Sequence, residues 1–154
     1  MSTRRPRDAA GLTILECLVT VAVLGIIAGG ATVVWPRLAA AFQLEAALRG
    51  LAADLQDTRV LAVAAAARTR IVLVRGAASY RLERADDDGT FALTTERRLP
   101  PGVVVADVNS GGDLVFSARG NAENGTVVLA DRRGRHATLR LNQRGRIMVE
   151  RGRT

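Results

Sequence analysis

The sequence predicts an α+β protein in which a long N-terminal helix, apolar enough in its first half to span a membrane, packs on antiparallel β-sheets. Three observations lead to this fold class. Residues 17–35 contain no charged side chain, an amphipathic helical pattern continues to about residue 67, and short alternating segments fill the remainder. At 154 residues the chain has the length of one domain. The helix and the sheets are therefore expected to belong to one fold.

The first half of the helix follows a basic leader that carries Arg4, Arg5 and Arg7. A helix needs about 20 apolar residues to cross a bilayer core, so this segment is long enough, and the arginines favour a cytoplasmic leader. A cleavable secretory signal with small residues near Ala28 is the alternative. Glu16 argues against that alternative, because a carboxylate at the centre of a bilayer costs about 2.5 kcal/mol or more.

The second half of the helix is predicted to be amphipathic. Residues 37–67 are rich in helix-forming residues, and Pro36 predicts a local kink where the two halves join. Apolar positions spaced by four and three residues place one stripe on the helix surface. The stripe consists of Leu44, Leu48, Leu51, Leu55, Thr58 and Ala62. The whole helix is expected to extend from Leu12 to about Ala67.

Eight strands are predicted after the helix, each an alternating segment bounded by turn residues. They cover residues 69–75, 79–84, 90–96, 103–108, 113–116, 126–130, 137–141 and 146–150. The run Asp86-Asp87-Asp88-Gly89 is interpreted as a hairpin turn and not as a calcium loop, because it lacks the alternating ligands and the closing Glu.

The junction before the apolar segment reads GLTILE at residues 11–16. It resembles the processing site of type IV pilins and of type II secretion pseudopilins, although Leu12 stands where Phe is usual. The resemblance implies that a prepilin peptidase cuts after Gly11 and methylates the new amino terminus at Leu12. It also implies that Glu16 pairs with the amino-terminal charge of a neighbouring subunit and so sets the axial register of a filament.

Later features resemble the GspH/FimT branch of this family, most closely the minor pseudopilin H of type II secretion. They are the strand directly after the helix, Leu99-Pro100-Pro101-Gly102, residues 116–120 and the closing residues 142–147. The resemblance implies a pilin-like fold with a cleaved leader (1–11), a transmembrane and filament-core helix (12–36) and a periplasmic domain (37–154).

The implied function is that of a minor pseudopilin in a periplasmic pseudopilus that exports folded proteins. The implied location is the bacterial inner membrane, crossed once, with the C-terminal domain in the periplasm. Partners would be major and minor pseudopilins, the prepilin peptidase, the inner-membrane secretion platform and secreted cargo. A type IV pilus minor pilin stays open as the alternative, and so does a secreted β-domain with a cleaved signal.

Most of the formal charge of +7 lies near the C-terminus, where residues 119–154 hold nine Arg against three acidic residues. Some GspH/FimT relatives are DNA receptors that use C-terminal arginines, so Arg144, Arg146 and Arg151 are candidate nucleic-acid contacts. Met148 replaces the second arginine of their Gly-Arg-x-Arg pattern, and no aromatic residue follows Phe116 to stack on bases. A solvated sheet face is the alternative interpretation.

Chemistry-bearing residues are few. The single His136 and the single Cys17 cannot build a metal site or an internal disulfide, and they lie far apart in the sequence. No cofactor or metal is expected. The sequence therefore predicts a subunit that assembles and not an enzyme.

Overall fold

The computed structural model describes residues 13–151, without the side chains of residues 31–41, 110 and 151. Gly11 and Leu12, the expected processing site, lie outside the described residues. The chain divides into two compact units, one that ends at Leu38 and one that begins at Ala39.

The N-terminal helix, α1, spans Ile14–Ala64 and is 51 residues long, so the long helix predicted from the sequence is confirmed. It does not end at Pro36. Of the residues that the structure describes, however, no helix is at once long and apolar enough to cross a membrane. The sequence predicts that residues 12–36 span a bilayer. Leu12 and the side chains of residues 31–36 lie outside the described residues.

The C-terminal end of α1 closes in a Schellman motif. The amide of Ala67 donates to the carbonyl of Ala62 at 3.1 Å, and the amide of Ala66 donates to the carbonyl of Val63 at 3.3 Å. Ala66 adopts a left-handed backbone with φ of 48°. Glycine is the usual residue there, because it alone has no Cβ to strain this conformation.

Eight strands follow the helix, and each overlaps a segment predicted from the alternating pattern. They are β1 (Thr69–Leu73), β2 (Ser79–Ala85), β3 (Phe91–Arg98), β4 (Val103–Val108), β5 (Asp113–Phe116), β6 (Gly125–Asp131), β7 (His136–Leu141) and β8 (Ile147–Arg151). They form two four-stranded antiparallel sheets, in the orders β3-β2-β1-β5 and β4-β6-β7-β8.

The core lies between the amphipathic half of α1 and both sheets. All six positions of the predicted helical stripe are buried. The five apolar members, all but Thr58, join one cluster with alternating strand residues. Among these, Ile71, Leu114 and Phe116 come from the first sheet and Val105, Val127, Leu129 and Leu139 from the second. This burial confirms the periodicity on which the helix and strand predictions rest.

A polar contact within the unit that begins at Ala39 links α1 to the first sheet. The hydroxyl of Tyr80 donates to Oδ2 of Asp54 at 2.6 Å, and Nε of Arg97 lies 3.6 Å from the same oxygen. Burial and the hydrogen bond to Asp54 raise the pKa of Tyr80 above its ordinary value. The phenol therefore stays protonated and keeps donating over the whole physiological range of pH.

Candidate functional site

The described part of the N-terminal junction begins at Thr13, which caps α1. The amide of Glu16 donates to Oγ1 of Thr13 at 3.2 Å, so the hydroxyl satisfies one of the free donors of the first turn. Thr and Glu at this spacing form the sequence pattern of a capping box, and a carboxylate in the first turn also complements the helix dipole. The spacing of Thr13 and Glu16 is visible in the sequence and would have been enough to predict this cap.

The helix surface after the cap is apolar and exposed. Every side chain described between residues 13 and 30 is exposed, including that of Glu16. The large apolar members are Ile14, Leu15, Leu18, Val19, Val21, Val23, Leu24, Ile26 and Ile27. A contiguous apolar surface of this extent is typical of a segment that is covered by a partner or by lipid.

The second candidate site is the turn between β7 and β8. Oδ1 of Asn142 accepts hydrogen bonds from the amides of Arg144 at 3.0 Å and Arg146 at 2.9 Å, and the amide of Gly145 donates to the Asn142 carbonyl at 2.8 Å. An Asn side chain that binds its own backbone in this way fixes the turn. Arg144 and Arg146 are exposed on it, beside a pocket of about 310 Å³.

Arg59 of α1 holds this turn against a second one, between β5 and β6. Its Nε donates to the carbonyl of Gly120 at 2.9 Å. A Cβ on Gly145 would lie only 2.7 Å from the same Nε and 2.9 Å from the Gly120 carbonyl oxygen. The two turns and the arginine are thus packed so tightly that Gly145 has no room for a side chain. Sequence reasoning missed Arg59, because its partner lies 61 positions away.

The three arginines proposed for nucleic-acid contact are not brought together. Arg144 and Arg146 share the β7–β8 turn, but residue 151 pairs with Ala137 at the other end of β8, whereas Ile147 pairs with Leu141. At about 3.3 Å per residue, the backbone of Arg151 lies roughly 13 Å from that of Ile147. The side chain of Arg151 is outside the described residues, so its role stays a prediction.

Part of the C-terminal positive charge is neutralised within the second sheet. Asp131 accepts hydrogen bonds from the Arg135 side chain at 2.7 Å and from the amides of Arg133 and Arg135. Burial opposes ionisation of Asp131, but these hydrogen bonds outweigh it and hold its pKa below the usual value. Arg140 lies 3.4 Å from Glu150. The basic region is therefore less uniform than its sequence suggests.

The acidic run between β2 and β3 forms a hairpin turn, as the sequence predicted. The amide of Gly89 donates to the carbonyl of Asp86, and the amide of Thr90 donates to Oδ1 of Asp88 at 2.8 Å. The Thr90 amide lowers the pKa of Asp88. Between residues 13 and 151, no group of three His, Cys, Asp or Glu side chains is arranged to hold a metal ion.

A capped N-terminal helix with an exposed apolar start, continued by an amphipathic half on two antiparallel sheets, is the architecture of a pilin-like fold. The prokaryotic N-terminal methylation motif matches residues 6–32 of the chain. Thr13 and Glu16 both lie within that motif. No curated protein sequence matches the chain significantly.

Comparison with solved structures gives a more specific similarity. The chain is similar to the minor pseudopilin EpsH from the type 2 secretion system of Vibrio cholerae, with a TM-score of 0.62 at 10% identity over 71% of this chain and 97% of that one. It is also similar to the type IV minor pilin FimU of Pseudomonas aeruginosa, with a TM-score of 0.56 at 20% identity over 70% of this chain and 87% of that one. The motif and the fold are consistent with the pilin-like GspH/FimT branch.

Proposed function

We propose that the chain is a minor pseudopilin of a type II secretion system. In this proposal the prepilin peptidase cuts between Gly11 and Leu12 and methylates Leu12, and the subunit then enters a periplasmic pseudopilus that drives export of folded proteins. The observation that carries the proposal is a methylation motif placed directly before an exposed apolar helix, in a chain that folds like EpsH.

The proposed location follows from the same segment. The precursor is held in the inner membrane by the apolar part of α1, with residues 37–154 in the periplasm. Apolar side chains exposed over residues 14–30 would be covered first by lipid and then by the helices of neighbouring subunits in the filament core. The other partners of this role are the secretion platform of the inner membrane and secreted cargo.

The mature amino terminus is the first test. Mass spectrometry of the protein from membranes of its native cells should find a chain that begins at methylated Leu12. A start near residue 30 would instead indicate a secretory signal peptidase and would remove the pilin-like role. A bulky residue at Gly11 should leave the longer precursor in the membrane, whereas cleavage near Ala28 would be unaffected by that substitution.

Two single substitutions separate the proposed role of Glu16 in assembly from its part in the N-terminal cap of α1. Glu16→Ala removes the carboxylate and keeps the Thr13 hydroxyl, whereas Thr13→Ala removes the hydroxyl and keeps the carboxylate. Register pairing predicts that Glu16→Ala inserts normally but co-assembles poorly with the other subunits, and that Thr13→Ala assembles nearly as wild type does. Equal defects in the two variants would show that helix capping, and not register, is what assembly needs.

A type IV pilus minor pilin is the second candidate, and the likeness to FimU favours it. Deletion of the gene separates the two roles: the first predicts that secreted enzymes accumulate in the periplasm, and the second predicts loss of surface pili. A DNA-uptake receptor is a special case of the second role, with Arg144, Arg146 and Arg151 as contacts. It requires a salt-dependent gel shift by the full chain, and no shift at low salt would exclude it.

A further inference from the structure

One face of the amphipathic half of α1 is not covered by the sheets. Val60 and Val63 are 66% and 53% exposed, although both are apolar and one helical turn apart. With Gln56, Arg59 and Ala64 they line a groove of about 320 Å³. Single exposed valines are ordinary, but a continuous apolar groove on a helix indicates a contact surface.

Two turns that carry arginines lie next to this groove. A Cβ on Gly120 would lie 3.0 Å from Cγ2 of Val63, so the loop that carries Arg119 contacts the groove. Gly145 lies against Arg59, which places the β7–β8 turn next to that loop. Arg119, Arg144 and Arg146 are exposed, and no ion pair involves them in the part of the chain that the structure describes. The groove at Val60 and Val63 and these three arginines are together called the arginine-bordered groove.

We propose that the arginine-bordered groove docks an acidic amphipathic helix of another protein subunit. The apolar side of that helix would cover Val60 and Val63, and its carboxylates would meet Arg119, Arg144 and Arg146. Apolar anchors at helical spacing supply the affinity of such contacts, and charge complementarity selects the partner and its orientation. The inference rests on the proposed function, because it names the face by which this subunit contacts a neighbour.

The chemistry of the groove distinguishes this occupant from two others. A second copy bound through the same face would bring three arginines against three arginines, with Asp57 as the nearest exposed carboxylate on α1, and like charges oppose such a pairing. A nucleic acid would meet an apolar floor of valine and alanine that offers its bases no aromatic platform. An acidic amphipathic helix satisfies both the apolar floor and the basic border.

A site-specific photocrosslinker tests the proposal in the full chain, expressed in its native cells. Placed at Val63, it should join a second polypeptide, and mass spectrometry should map the attachment to a segment with acidic and apolar residues at helical spacing. The control is the same crosslinker at Leu93, an apolar residue of β3 that is 59% exposed. The double variant Arg144→Glu/Arg146→Glu should lower the Val63 yield about tenfold, since two charge contacts become repulsive.

The matched charge control is Arg98→Glu/Arg133→Glu, which makes the same change in charge away from the groove and should leave the yield unaltered. Exchanging the mapped carboxylates of the partner for arginine should restore the yield in the Arg144→Glu/Arg146→Glu background. Attachment at Val63 to lipid, nucleic acid or a second copy would overturn the proposal, as would equal losses in the two double variants.

Processing is followed in the same cells, so that the two proposals fail in different ways. A chain that is cut, methylated and assembled but gives no polypeptide crosslink at Val63 would overturn the docking face alone. A chain that keeps its leader would overturn the proposed function, whatever the crosslink at Val63 shows.

Discussion

Replacement of Gly145 by alanine should destabilise the protein by about 3 kcal/mol. The backbone of Gly145 has φ of 70°, a left-handed conformation that costs an alanine about 1–2 kcal/mol, of which the lower entropy of the unfolded chain returns about 0.4–1 kcal/mol. The new Cβ would also displace Arg59, since it would lie 2.7 Å from Nε. Loss of the charged hydrogen bond to the Gly120 carbonyl adds about 1.5–3 kcal/mol.

Gly134 provides a matched control for that substitution. Its φ is 75°, nearly the same as that of Gly145, but a Cβ there would meet nothing within 4 Å. Gly134→Ala should therefore cost only the conformational part, about 1 kcal/mol. In thermal unfolding of the full chain, followed by circular dichroism, the midpoint of Gly145→Ala should lie about 8 °C below that of Gly134→Ala.

Two results would refute this reasoning. Equal midpoints for Gly145→Ala and Gly134→Ala would mean that the contact with Arg59 contributes nothing. The second test uses Arg59→Met, which keeps an apolar stem and removes the donor. In that background Gly145→Ala should cost markedly less than in the wild type, because the group that the Cβ displaces is already gone. An unchanged cost would place the strain elsewhere.

Three further outcomes are expected from the same unfolding measurement. Ala66→Gly should stabilise the protein by about 1 kcal/mol, because glycine relieves the left-handed strain of the helix end; a loss of stability would contradict the Schellman geometry. Tyr80→Phe should cost about 1 kcal/mol by leaving Asp54 without its donor. Because the folded pKa of Tyr80 is raised, that contribution is complete below pH 10 or so and declines above it, so wild type and Tyr80→Phe should converge in strong base. Gly112→Ala should be among the most damaging changes, because its Cβ would lie 2.6 Å from the carbonyl oxygen of Leu73; wild-type stability would disprove that contact.

The fold could be predicted from local patterns because its main signals repeat along the chain. The helical stripe from Leu44 to Ala62 is buried at every predicted position, and each predicted strand exists within a few residues of its expected ends. Only the ends of the helix and strands differ from the prediction. The helix α1 ends at Ala64, before the predicted end near Ala67, because the amides of residues 65–67 and the left-handed backbone of Ala66 complete the cap there. Alanine gives no sequence signal for such an end.

The candidate sites could be predicted only where the interacting residues are close together in the sequence. Thr13 and Glu16 belong to a compact motif, and the turn at Asn142 could be anticipated from its composition. Arg59 could not, because its interaction is with a backbone carbonyl far along the chain, which leaves no trace in local periodicity. The separation of Arg151 from Arg146 likewise depends on the register of β8, which a count of arginines does not reveal.

The cap at Thr13 has a consequence for the maturation of such a chain. The hydrogen bond from the Glu16 amide to the Thr13 hydroxyl is contained within residues 13–16, so a chain cut anywhere before Thr13 keeps both of its partners. The proposed cut between Gly11 and Leu12 would therefore leave this cap in the product. On that proposal, the precursor and its trimmed product would carry the same start signal for α1.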